Sequence, residues 1–324
     1  MKRRHLLAGG ALLALPGLPV RAAGPWPNQT LRLVVPFPPG AANDTLGRAI
    51  ADQLTTRLGQ TVVVENRAGA GGAVGSEAVA RSAPDGYTLL LGHIGTLAVN
   101  PAIYPSLPYN VQKDFAPVAM IALVPNVLVV NPRLPFQDIQ GLVTHVRANP
   151  GQLRYCSAGN GSAGHIVMLA FLNALKLEME HVPYRGAGQS FTALIAGETQ
   201  FTHDIPSLLK PFHESGQARV LFVNGDKRSP LLPDVPAQTE LGIPDYKSYS
   251  WYGIFGPANL PPEITAKMAA AIEATLADPA MEAKLNELGT PAMRGWSPAR
   301  FAQYVKEEID TWVPLVHASG ASAG

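Results

Sequence analysis

Leu33-Val34-Val35-Pro36-Phe37-Pro38-Pro39-Gly40-Ala41-Ala42-Asn43-Asp44 and Tyr155-Cys156-Ser157-Ala158-Gly159-Asn160-Gly161-Ser162-Ala163-Gly164-His165 are two Gly-rich loops far apart in the chain. Each runs from an apolar strand into a helix start. A helix N-terminus carries unpaired backbone N–H groups and the positive end of the peptide dipoles, so it receives an anion without a charged side chain. Two such ends facing each other across a cleft make a receptor for a small carboxylate.

Around the first loop, apolar runs alternate with helical spacing. Residues 31–36 read as a strand. Leu46, Ile50, Leu54 and Leu58 recur every four residues, so 44–58 reads as a helix. Strands at 61–65 and 87–92 flank a short helix over 73–81 that follows the glycines of 69–75. This β-α-β-α-β order implies a parallel sheet covered on both faces. The apolar stretch 115–131, broken at Pro125, reads as a strand pair that leaves one domain and enters a second. The second domain then reads as helix 139–149, strand 153–156, helix 162–175 with Ser162 as N-cap, a strand end at 181–184, helix 189–196, strand 200–203, helix 206–215 and strand 219–223. Residues 250–256 form the return crossing. Helices 261–277, 279–288 and 298–316 pack back on the first domain. Ligands of open parallel sheets sit outside the carboxyl ends of the strands, and both Gly-rich loops lie at such ends.

The chain has 25 Lys+Arg, 24 Asp+Glu and a single cysteine, Cys156. Residues 1–22 read as an export signal: Lys2, Arg3 and Arg4, then an interrupted apolar run from Leu6 to Leu18, then Val20-Arg21-Ala22. The run is too short for a membrane span. The Arg3-Arg4 pair leaves both the general secretory and the twin-arginine route open. Removing the signal leaves 21 basic against 24 acidic residues, a net −3, which argues against nucleic acid or an anionic membrane surface as partner. With one cysteine no internal disulfide forms, so stability rests on a large apolar core, which 47% hydrophobic residues supply.

Several stretches together are similar to one known family. They are Pro36-Phe37-Pro38-Pro39-Gly40 with Asp44 and Arg48; Val64-Glu65-Asn66-Arg67-Ala68-Gly69-Ala70-Gly71-Gly72; Pro84-Asp85-Gly86-Tyr87-Thr88-Leu89; and Asp114-Phe115-Ala116-Pro117-Val118. The second half adds Ser157-Ala158-Gly159-Asn160-Gly161-Ser162 with His165, Val182-Pro183-Tyr184-Arg185-Gly186, Pro233-Asp234-Val235-Pro236 and Trp251-Tyr252-Gly253. In this order they resemble the periplasmic solute-binding receptors of tripartite tricarboxylate transporters, the Bug or TctC family. The resemblance implies a two-lobe Venus-flytrap fold of the type II periplasmic-binding class, with a mainly parallel sheet in each lobe. Lobe one is expected at 23–124 plus 252–324, and lobe two at 125–251. It implies a monomeric receptor that clamps an organic acid with backbone amides and hands it to membrane carrier subunits, with no cofactor and no metal. The pattern departs at Ala41, where the family often has glycine, at Arg185 where lysine is common, and at Gln189-Ser190.

The candidate ligand-binding residues are Phe37, Gly40, Ala41, Ala42, Asn43, His93, Thr96, Ser157, Gly161, Ser162, His165, Tyr184, Gly186 and Asp204. Gly40, Ala41 and Ala42 offer amides at the start of the first helix, whereas Asp44 reads as a cap or first-turn residue. Ser162 either donates to a ligand or caps its own helix. Asp204, at a strand end, either accepts from an amine on the ligand or fixes a loop. Trp251 reads as cleft wall or as core, and Arg185 either pairs with a distal carboxylate of the ligand or faces solvent. For an enzyme the chain offers little: there is no Gly-x-Ser-x-Gly elbow and no His-Glu-x-x-His spacing. The glycines of 69–75 only hint at a dinucleotide loop. A sensor that presents its lobes to a partner without tight ligand binding is the third class.

Overall fold

The computed structural model describes residues 25–40, 42–244, 246 and 249–318. The expected export signal, 1–22, lies outside the described residues. The first half-sheet is laid down by β1 (Leu31–Val35), α1 (Ala42–Leu58), β2 (Val62–Asn66), α2 (Ala73–Ala80) and β3 (Thr88–His93). The strands read as near-continuous apolar runs because both faces are covered. Leu31, Leu33, Val35, Leu89 and Leu91 are buried, and Leu46, Ile50 and Leu54 of α1 close over them.

After β3 the chain makes a wide π-helical turn at Gly95–Val99 and two four-residue helices, α3 (Asn100–Ile103) and α4 (Val111–Asp114). None of the three was legible beforehand, because four or five residues carry no periodicity. β4 (Phe115–Pro125) forms an edge of the first sheet, and the chain passes through Asn126 into β5 (Val127–Val130) of the second. The break at Pro125 therefore falls at the passage between the sheets.

The second sheet holds α5 (Ile139–Ala148), β6 (Arg154–Ser157), α6 (Ala163–Leu175), β7 (Glu180–Pro183), α7 (Ala187–Ala196), β8 (Phe201–Asp204), α8 (Pro206–Glu214) and β9 (Arg219–Val223) as its strands and covering helices. β10 (Tyr249–Pro257) then returns to the first sheet.

Among the described residues each sheet has five strands, in the orders β2-β1-β3-β10-β4 and β7-β6-β8-β5-β9. In both, three strands pair in parallel and the fourth place runs against its neighbours. That reversed strand is in each case the one arriving from the other sheet. The two lobes are thus built on one plan, an α/β two-lobe fold.

The passages between lobes are bonded to each other. The Asn126 side-chain amide donates to Ser250 Oγ at 3.2 Å, and the Asn224 amide donates to the Asn126 carbonyl at 2.8 Å. All three residues are buried, so these contacts sit in a seam between the two lobes.

The C-terminal helices divide their work. α9 (Pro262–Leu276) and α10 (Pro279–Glu287) cover the first sheet beside α1, through Met268, Ile272, Leu276, Met281 and Leu285. α11 (Pro298–Ala318) packs on β4 and the π-turn, but its apolar cluster also takes in Ile166 and Ala170 of α6 from the second lobe. It therefore contacts both lobes, more than the expected packing on the first alone. Its anchor is Glu308, 1% exposed, whose Oε2 accepts from the indoles of Trp251 at 3.0 Å and Trp312 at 2.9 Å.

Trp251 and Trp312 are both fully buried. Glu308→Leu strips the acceptor from two buried indole N–H groups and should destabilise the fold by about 2–4 kcal/mol, while Glu308→Gln, which keeps an acceptor, should lose less. Urea denaturation of the two variants measures the difference.

Candidate functional site

Between the sheets lies a cavity of about 380 Å³, within the range that holds a small ligand. Strands end at it and helices begin at it. α1, α6, α7 and α8 all start on its wall: Asn43, Ala163 with Gly164, Ala187, and Ile205 line it. Four positive helix ends are therefore turned on one space.

The lobe-one wall is held by a polar knot. Asp44, in the first turn of α1, is 4% exposed. Its carboxylate accepts from the Gly40 amide at 2.9 Å, from Arg48 Nε at 3.0 Å and from Asn66 Nδ2 at 2.9 Å. Asn66 also donates to the Phe37 carbonyl at 3.1 Å, which ties the loop to the end of β2. Burial alone would raise the Asp44 pKa, but Arg48, the Gly40 amide and Asn66 together bring it down to about 2. Asp44 is thus a scaffold for the loop.

Phe37 lies tilted against His93 with ring centroids 4.8 Å apart, and Tyr252 lies tilted against the same imidazole at 6.2 Å. His93 Nδ1 accepts the Gly95 amide at 2.7 Å, so the ring proton sits on Nε2. Burial lowers the pKa of His93 to about 3. It meets the cavity as a neutral donor. Thr96 is buried behind it, with its hydroxyl bonded to the His93 amide and carbonyl at 3.2 and 3.1 Å. Gly72, at φ +87°, brings the backbone so close that a Cβ would lie 2.5 Å from Thr96 Cγ2. The Gly-rich run 69–75 is thereby a packing loop for this wall, and its Gly71 lines the cavity.

The lobe-two wall rests on stacked imidazoles. His165 lies on His181 with ring centroids 3.9 Å apart and planes 8° from parallel. His165 Nδ1 accepts the Gly161 amide at 3.1 Å, and His181 Nε2 is 2.7 Å from Ser157 Oγ. Burial pushes both rings down, His165 to about 3 with a further contribution from His181, and His181 to about 4. Two neutral rings thus hold the loop that presents α6.

Ser162 caps α6, accepting the His165 amide at 3.4 Å. The amides of Ala163 and Gly164, in the same turn, have no acceptor among the described residues. Gly164 allows the close approach of α6 to β8, since a Cβ there would stand 2.2 Å from the His203 carbonyl oxygen. Across the cavity, the Asn43 side-chain nitrogen is buried and unpartnered.

Of the residues singled out in the sequence, Phe37, Asn43, His93, Gly161, Ser162, Gly186 and Asp204 line the cavity. Gly40 is exposed, with its amide already given to Asp44. Ala42 opens α1, and Ala41 lies outside the described residues. Thr96, Ser157 and His165 are buried supports behind the wall. Tyr184 is half-buried, its hydroxyl donating to Glu198 at 3.4 Å, and Arg185 is exposed.

Trp251 belongs to the core, and its neighbours Ser250 and Tyr252 line the cavity. Strand alternation could have signalled this, since 250 and 252 share the face opposite 251. Asn100, Ile205 and Leu208 also reach the cavity. They follow from which loops meet in space, and no local pattern marks them.

A family model described as "Tripartite tricarboxylate transporter family receptor" matches residues 46–321. The protein BugT of Bordetella pertussis is 34% identical over 323 residues, covering 98% of each chain. A protein from the tcbD-tcbE intergenic region of Pseudomonas sp. strain P51 is 35% identical over 316 residues, 97% of this chain and 94% of that one. Among solved structures, an R. palustris protein with adipate has a TM-score of 0.81 at 34% identity, covering 91% of this chain and 98% of that one. MatC from Rhodopseudomonas palustris with bound malate has a TM-score of 0.79 at 33% identity, covering 90% of this chain and 100% of that one.

Asp44→Asn should destabilise the protein by about 1–3 kcal/mol at neutral pH, since it removes charge-assisted hydrogen bonds. The native carboxyl has the lower pKa, so its contribution is full above about 4 and fades as pH falls through about 2. Urea midpoints of wild type and variant should therefore converge toward the acid end.

Proposed function

Because the chain belongs to the tripartite tricarboxylate transporter receptor family, we propose that it is an exported, monomeric receptor which closes two lobes on a small organic carboxylate and delivers it to the membrane subunits of such a carrier. Residues 1–22 serve as the export signal, which puts the mature protein in the periplasm. The lobes are 23–124 with 252–324, and 125–251.

The observation that carries this reading is an anion site made without cations. The amides of Ala163 and Gly164 are unpartnered at the start of a 13-residue helix, and Asn43 of the other lobe, whose side-chain nitrogen is unpartnered, lines the same cavity. His93 adds a neutral Nε2–H donor. Among the described lining residues there is no lysine or arginine. Solutes bound in related proteins, adipate and malate, are small carboxylates.

The reading is of a receptor and not of an enzyme. Cys156 is buried, burial pushes its thiol up, and its Sγ donates to the Ser190 carbonyl at 3.3 Å. A thiol in that state is a poor nucleophile. The glycines of 69–75 serve wall packing, so the dinucleotide hint has no separate support.

Calorimetry against a panel of small carboxylates should give one site with a Kd of about micromolar, near −8 kcal/mol. Asn43→Ala should weaken binding by about 0.5–1.5 kcal/mol, and up to about 3 if the donor meets a charged oxygen. Gly161→Val should weaken it more, because a Cβ there lies 2.6 Å from Ile103 across the lobe seam and keeps the lobes apart. Unchanged affinity in both variants removes the interlobe clamp from consideration.

A further inference from the structure

Asp204 ends β8 on the lobe-two wall of the cavity. Its Oδ1 accepts the Ile205 amide at 2.8 Å, and its Oδ2 has no partner among the described residues. The other titratable groups on the wall are His93, which is neutral, and Tyr252, whose phenol burial raises out of the physiological range. Cys156, behind the wall, is held as the neutral thiol. Burial raises the Asp204 carboxyl to about 6, so at pH 8 it is ionised. The cavity therefore holds one negative charge of its own and no cationic side chain to balance it. Asp204 is half-buried on the cavity wall, and a solute that closes over such a carboxylate and strips its water must offer it a compensating charge. The described wall supplies no cation, so the charge that balances Asp204 arrives with the solute.

We propose, resting on the receptor reading above, that the cavity takes an amino carboxylate: the free amides at the start of α6 hold its carboxylate, and Asp204 Oδ2 receives its ammonium group. Asp204 is then the specificity-determining residue. A dicarboxylate dianion of the same length would set a second negative charge beside Asp204 with nothing between them. An α-hydroxy acid offers a donor but no compensating charge.

The test is calorimetry at pH 8 on the full mature chain, with L-leucine, L-aspartate and γ-aminobutyrate, their hydroxy analogues, succinate and glutarate as probes. At least one amino acid should bind tenfold or more tightly than its hydroxy analogue and than both dicarboxylates. Asp204→Asn, which keeps an acceptor for the Ile205 amide, should weaken that amino acid at least tenfold and narrow or reverse the preference. The comparison of amino and hydroxy probes on wild type stands even if the variant fails to fold. Succinate or glutarate binding more tightly than every amino acid, a hydroxy analogue matching its amino partner, or wild-type affinity in Asp204→Asn would each overturn the proposal and leave the receptor reading intact. Absence of binding by every carboxylate to folded protein overturns both.

Discussion

The first turn of a helix has amides that its own backbone cannot satisfy, and burying them leaves a donor short of an acceptor. In this protein the unsatisfied ends are collected. α6 begins with two unpartnered amides at the cavity, and α1, α7 and α8 begin around the same space. Parallel strands make this possible, since every strand of a β-α unit ends on one edge and every following helix begins there. A dipolar anion site is therefore a consequence of the topology. Its selectivity is left to the few side chains that stand among the amides.

Fixing those amides in place takes more residues than line the cavity. Asp44 holds the first loop from within α1 by drawing in Gly40, Arg48 and Asn66. His165 and His181 hold the second by stacking, each neutral because burial opposes its charge. Both devices are polar, buried and directional, so they position backbone more tightly than apolar contact does. Glycine does the remaining work where backbone must approach backbone, as at Gly164 against His203.

The lobes are joined by thin passages, and relative movement is the default for such a pair. Asn126 ties the outgoing strand to Ser250 of the returning one and to Asn224 at the end of β9. Ser250 also lines the cavity, so the seam between lobes and the solute space share a residue. α11 spans both lobes on an apolar cluster that includes Ile166 and Trp312. Movement about the Asn126 seam thus carries α11 with it or slides α6 along it.

The sequence by itself determined the two-lobe α/β plan, because that plan is written in local signals. The four-residue spacing of Leu46, Ile50 and Leu54, the break at Pro125 and the cap at Ser162 each depend on neighbours a few residues away. It also marked both loop regions, and with them Phe37, Asn43, His93, Gly161, Ser162, Gly186 and Asp204, because strand ends and the Gly-rich turns beside them are local patterns. Only the tertiary structure decided which groups there are spent and which are free. Gly40 gives its amide to Asp44, and Ser157 is taken by His181, a partner 24 residues away. Tyr252 and Ser250 reach the cavity because β10 returns from the other lobe beside β3 and β4. A hydrogen bond consumes a donor wherever its acceptor sits in the chain, and only the assembled fold says where that is.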